Sequence, residues 1–241
     1  MAIDSIPSPF VGVIIIIILS IIIEIGYRVG KAIGGEPGLA RHPVEASVTT
    51  AILGLMAFML GFSFASAASR YGKRNELSLS DANTAGTLYL RADFLPADNI
   101  EPARALIREY VKIRLNAGRE KDIALIKKVL KRSTEIQNEL WKIGVEAHQQ
   151  STNVSLNLFI TALNDLIDVD TERQTVTFVN RFPPTLWVTL AFLCVLATTM
   201  LGLSAGLHGR RSRLASTALI ISFSVVIVLI VDLDRPMRTL F

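Results

Sequence analysis

The chain has 241 residues, 51% of them hydrophobic and 19% charged, with a formal net charge of +4. A mean hydropathy of +0.45 is too apolar for an ordinary soluble domain carrying this much charge. The single cysteine, Cys194, lies inside an apolar block, which excludes a disulfide framework or a thiolate metal centre. His42, His148 and His208 are far apart in sequence, which weighs against a histidine metal site. The pI near 9.4 comes without a basic stripe, so no nucleic-acid partner is expected.

The first apolar block runs from about Phe10 to Tyr27 and includes the run Ile14 to Ile18. A bilayer core of about 30 Å needs about 20 apolar residues in a helix, so the block is just long enough. The leader MAIDSIPSP holds no Lys or Arg and the block ends in IEIGYR, so a retained anchor is expected rather than a cleaved signal. Glu24 interrupts the block near one end. Charged groups within spans are costly and often functional, so Glu24 is a candidate ion or proton ligand. The plainer reading is a residue that snorkels or pairs, for example with Arg28 one turn on.

A second block, about Val44 to Ser69, is rich in Ala, Gly and Ser, and small residues let helices approach closely in lipid. The interval from about Arg70 to Arg181 is charged and reads as helical. Leu106, Ile107, Tyr110, Val111, Ile113 and Leu115 fall mostly at helical spacings. Ile123, Ile126, Val129 and Leu130 begin a second amphipathic stretch, continued by Ile136, Leu140 and Ile143, and Leu156, Phe159, Ile160, Leu163 and Ile167 make a third. Pro96 and Pro102 are expected to break the chain between stretches. The acidic group Asp165, Asp168, Asp170 and Glu172 has spacing that would offer oxygens to a hard cation, but it lacks the glycine of a Ca²⁺ loop. A solvated helix end is the plainer reading, and no metal is expected.

The third block starts at Pro183-Pro184, with Trp187 suited to the interface, and runs to about Leu207. The fourth runs from about Leu214 to Val231 and ends in Asp232-Leu-Asp234-Arg235-Pro236. Those charges must reach headgroups, water or partners, which makes Asp232 and Asp234 further candidate pairing or ion sites.

The expected fold is an all-α integral membrane protein of about four transmembrane helices, with a helical extramembrane domain between the second and third. The divisions are 1–69, a first transmembrane pair; 70–182, the charged domain; and 183–241, a second pair with a short tail. Four spans place both termini and the central domain on one side. The basic residues near the spans are Arg28, Lys31, Arg41, Arg210, Arg211 and Arg213 on the loop side. Those on the domain side are Arg70, Lys73, Arg74, Arg173, Arg181, Arg235 and Arg238. This is nearly balanced, and the dense Arg210-Arg211-Ser212-Arg213 loop leans toward loops inside. No HExxH, GxSxG, Walker loop or Cys–His arrangement occurs, so neither an enzyme nor a cofactor is expected.

In the second block Phe58, Phe62, Ser66 and Arg70 are spaced by four and share one helix face. Turned to a common axis, they would form an apolar constriction, a hydroxyl ring and a basic mouth, as in an anion pore. Alternatively the two phenyl rings face lipid or core and Arg70 anchors the helix at the interface; spacing alone favours that arrangement.

The stretch Phe58-Met-Leu-Gly-Phe62-Ser-Phe-Ala-Ser-Ala-Ala-Ser-Arg70 resembles the pore-neck helix of bestrophin anion channels. The whole chain is similar to the bacterial bestrophin-like membrane family, through LGFSFASAASRY, Tyr89-Leu-Arg-Ala-Asp-Phe-Leu-Pro96, Arg108-Glu-Tyr110, Leu163-Asn-Asp-Leu-Ile-Asp168, Arg181-Phe-Pro-Pro184 and Leu233-Asp-Arg-Pro236. The resemblance implies a neck at Phe62 and Phe58, with Gly54 in place of a third, aliphatic neck residue. It implies a homo-oligomer, a cyclic pentamer, that conducts small inorganic ions through lipid. It also puts termini and central region in the cytoplasm of a multi-pass protein of the bacterial inner membrane, against the slight charge bias. The function expected is an anion-conducting channel. The alternative is a non-conducting scaffold or sensor whose helical domain binds a partner, with Phe58 and Phe62 packed inside one subunit.

Overall fold

A computed structural model describes residues 7–34, 43–117, 123–150, 154–179, 182–209 and 211–235. Arg41, His42, Arg181, Arg210, Pro236 and Arg238 lie outside the described residues. Among those described, the regular elements are all helical: α1 (Ser8–Ile33), α2 (Pro43–Arg91), a 3₁₀ turn (Ala92–Phe94), α3 (Ala97–Ala117), α4 (Ile123–Gln150), α5 (Leu156–Gln174) with a π-helical turn (Thr175–Val179), α6 (Pro184–Leu207) and α7 (Arg213–Asp234). The chain divides into two compact units, Met1–Ser69 with Phe182–Arg235, and Arg70–Arg181. Helix α2 runs on past the apolar block that ends near Ser69, because nothing between Ser69 and Arg91 breaks it.

The first unit holds α1, the first part of α2, α6 and α7. Four of the helices are long and apolar enough to cross a membrane. Prolines open two of them, Pro9 in the first turn of α1 and Pro184 at the start of α6, where a missing N–H costs nothing. Ser212 caps α7, accepting a hydrogen bond from the Ala215 N–H at 3.3 Å. Helix α1 extends to Ile33, beyond the apolar run ending at Tyr27, because Gly26, Gly30 and Gly34 lie on its contact with α6. A Cβ at Gly30 would strike the Leu203 carbonyl, one at Gly202 the Ile23 carbonyl, and one at Gly206 the Tyr27 carbonyl. Two small-residue stripes thus bring two backbones together. Around this contact Leu19, Met56, Leu60, Leu190, Ala197, Ile220 and Ile230 are buried, while Phe10, Ile14, Ile17, Ile18, Ile21 and Ile25 are left exposed on the outer face of α1. An outward stripe so apolar suits lipid, not water.

The second unit packs the rest of α2 with α3, α4 and α5 around Leu88, Ile107, Tyr110, Ile136, Leu140, Phe159, Leu163 and Leu166. Pro96 stands where the chain turns from the 3₁₀ turn into α3. Pro102, expected to break the chain, instead lies inside the second turn of α3, where the helix forgoes one backbone bond and continues.

Candidate functional site

Along α2 in the first unit, Met56, Leu60, Ser63 and Ala67 face inward and are at most 5% exposed. Positions 58 and 62 fall on the other side of a helix with 3.6 residues per turn. Phe58 is accordingly 69% exposed and Phe62 52%. A Cβ at Gly54 or at Gly61 would meet nothing within 4 Å. Ser66 and Arg70, further along the helix, are half-buried. The small residues of α2 are therefore split: Ser63 and Ala67 are buried, whereas Gly54 and Gly61 lie on an uncovered face, and the closest backbone approach is made by α1 and α6.

Glu24 accepts hydrogen bonds from Arg28 Nε at 3.0 Å and from Arg211 Nη2 at 2.5 Å. Arg211 also lies over the Tyr27 ring, 4.6 Å from its centroid. Asp232 accepts from the Ser8 hydroxyl at 2.6 Å, and Arg235 donates to the same hydroxyl at 3.1 Å. Asp234 accepts from the Phe182 N–H at 3.1 Å. The contacts of Asp232 and Asp234 join the start of α1, the start of α6 and the end of α7.

The acidic group of α5 does not converge. Asp165 and Asp168 are exposed, Glu172 pairs with Lys73 at 3.3 Å, and Asp170 is buried. No group of carboxylates, histidines or cysteine suited to a metal occurs among the described residues.

Asp170 belongs to a buried polar network that sequence reasoning missed. Asp81 on α2 accepts from Tyr110 at 2.8 Å and from Arg114 at 3.2 Å, both on α3, and from Arg173 on α5. Asp170 pairs with Arg114 at 2.8 Å and accepts from Gln137 on α4 at 2.9 Å and from Gln174 at 3.1 Å. Two carboxylates thus face two guanidiniums, with Arg74 of α2 buried as well, and every helix of the second unit contributes. Burial pushes the Tyr110 phenol well above its ordinary value, so it is a fixed donor. Nearer the surface, Arg132 grips Glu109 at 2.7 and 2.9 Å and Glu139 at 2.7 Å, and its hydrogen bonds hold the Glu109 carboxyl below the ordinary carboxylate range. A signal for the network was present. Ala103, Ile107, Tyr110, Arg114 and Ala117 form one buried stripe, as do Phe159, Leu163, Leu166, Asp170 and Arg173. A charge that continues an apolar stripe must find its counter-charge inside.

An all-helical fold with four apolar helices able to span a bilayer defines a multi-pass membrane protein of the helical class. The bestrophin-like domain family matches residues 17–238, and the chain belongs to that family. A solved crystal structure described as that of a membrane protein has a similar fold, at a TM-score of 0.60, with 16% identity over 96% of this chain and 88% of that one. No curated protein matches the chain.

Proposed function

We propose that this bestrophin-like chain is one subunit of an oligomeric ion channel, anion-conducting, whose pore is lined by α2. The observation that carries the reading is the exposure of Phe58 and Phe62 beside open glycines, on the side of α2 away from its own subunit's packing. One helix cannot enclose a pore, so copies arranged in a ring supply the wall, a pentamer by family resemblance. Two stacked phenyl rings make a short apolar zone that resists ions by dewetting, Ser66 adds hydroxyls, and Arg70 marks the mouth and concentrates anions. The chain acts as a conduit and not an enzyme, in the cell membrane, with termini and central domain in the cytoplasm. A scaffold that packs the two rings inside one subunit is at odds with their exposure, and flux separates a common axis from contact with lipid.

The test is flux through purified protein in lipid bilayers. Phe62→Ala widens and wets the constriction and should raise conductance. Silence of both wild type and Phe62→Ala, with the oligomer intact, would defeat the channel reading. A current indifferent to the substitution would move the pore to another helix.

A further inference from the structure

Within the first unit, the ends of α1 and α6 and the start of α7 enclose an open cleft of about 180 Å³. It is lined by the polar side chains of Ser20, Tyr27, Arg211, Arg213, Ser216 and Thr217 and by the apolar Ile23, Gly202, Ala205 and Ile220. Its place along the spans follows from the sequence. The apolar run of α1 gives way to charge at Tyr27-Arg28, that of α6 ends at Leu207, and that of α7 begins after Arg213. Those boundaries set the cleft at headgroup depth, where Tyr and Arg side chains collect.

The charges around the cleft do not balance. Glu24 is shared by Arg28 and Arg211, and Arg213 adds a third cation that takes no side-chain partner among the described residues. Three guanidiniums against one carboxylate leave an excess of positive charge. Such an excess beside a low-dielectric layer attracts a counter-anion. The lining combines apolar side chains with the hydroxyls of Ser20, Ser216 and Thr217 and the guanidiniums of Arg211 and Arg213. That combination fits an oxyanion attached to an apolar tail better than it fits a hydrated ion alone.

We propose that this cleft binds a phosphate-bearing anion, namely the headgroup of an anionic phospholipid, with Arg213 and Arg211 on the phosphate and the acyl chains leaving along the exposed apolar faces. The site is separate from the α2 face and does not depend on conduction.

Binding is read by native mass spectrometry of the detergent-purified full chain. Short-chain phosphatidylglycerol, short-chain phosphatidylcholine and inorganic phosphate are each added at equal concentration. Phosphatidylglycerol should be retained in preference to phosphatidylcholine. Loss of one interfacial arginine should weaken it about fivefold in Arg213→Gln. Arg213→Lys should keep part of the preference, and Arg108→Gln, in the other unit, should keep all of it. Retention of inorganic phosphate equal to that of phosphatidylglycerol, with the same loss in Arg213→Gln, would uphold the oxyanion site but overturn the lipid as its source. Equal retention of the two lipids, or full retention by a folded Arg213→Gln, would overturn the site itself.

Discussion

Asp81→Asn is the most informative single perturbation of the second unit. The four charged side chains of the network are 2–7% exposed: Asp170 2%, Arg173 4%, Asp81 6% and Arg114 7%. Two carboxylates face two guanidiniums, so each carboxylate offsets buried positive charge. Asp81→Asn removes one negative charge from among buried guanidiniums with little water to replace it, and the new amide N–H₂ points donors at donors. Breaking a buried pair by removing one partner typically costs about 3–5 kcal/mol. Tyr110→Phe deletes only a neutral donor from the same carboxylate and should cost about 1–2 kcal/mol. The two single variants are compared by unfolding the full chain in detergent, following helicity. Hydrogen exchange is read on residues 103–117 and 159–173. Both segments should lose protection together in Asp81→Asn, because the same carboxylate ties α3 and α5 to α2. Adding Arg173→Gln to Asp81→Asn removes the guanidinium that lost its carboxylate and should return part of the loss, a coupling that distant sites would not show. If Asp81→Asn costs no more than Tyr110→Phe, the network is hydrated in solution and the electrostatic argument fails.

Other outcomes follow from the same contacts. Gly30→Ala pushes a Cβ into the Leu203 carbonyl and forces α1 and α6 apart, costing about 1–3 kcal/mol in detergent unfolding, while Gly54→Ala, which meets nothing within 4 Å, should leave stability unchanged. Arg70→Glu should lower anion preference in bilayer recordings, more at low salt than at high salt, because charges at a wetted mouth are screened. The Glu109 carboxyl is held below its ordinary value by Arg132, so its stabilisation is present above the unfolded-state value and is lost as pH falls through the lowered one. Protection of the α3–α4 contact should therefore decline on acidification in wild type and show a weaker pH dependence in Glu109→Gln; identical profiles would remove the bridge from the account.

The spans and the amphipathic helices were legible because apolar runs and 3.6-residue stripes are local properties. The limits of α2 were less so. Hydropathy marks where a helix leaves the bilayer, not where it ends, and from Ser69 to Arg91 the helix persists as an amphipathic one, with Leu77, Ala85 and Leu88 buried. Pro102 misled for a related reason: proline near a helix start removes only one bond and need not end the element. The acidic group of α5 misled because Asp165 and Asp168 differ from Asp170 in angle around the helix axis, so neighbours in sequence end up on solvated and buried sides.

The glycines show how far a pattern reaches before geometry is needed. Small residues occur in α1, α2 and α6 alike, and composition alone marks α2 as the close-packing helix. In the fold, Gly26, Gly30, Gly202 and Gly206 each face backbone atoms that leave no room for a side chain. Gly54 and Gly61 of α2 face open space. The same residue type thus serves a contact already made within the chain in one pair of helices. In α2 it leaves a surface that the chain does not cover. Two phenyl rings standing on that surface, costly to expose in water and unneeded for the subunit's own packing, are what a constriction assembled from several copies requires of each one. The energy of folding a single chain does not account for Phe58 and Phe62, so their place is explained by what the chain meets outside itself, lipid or a common axis, and flux through Phe62→Ala separates the two.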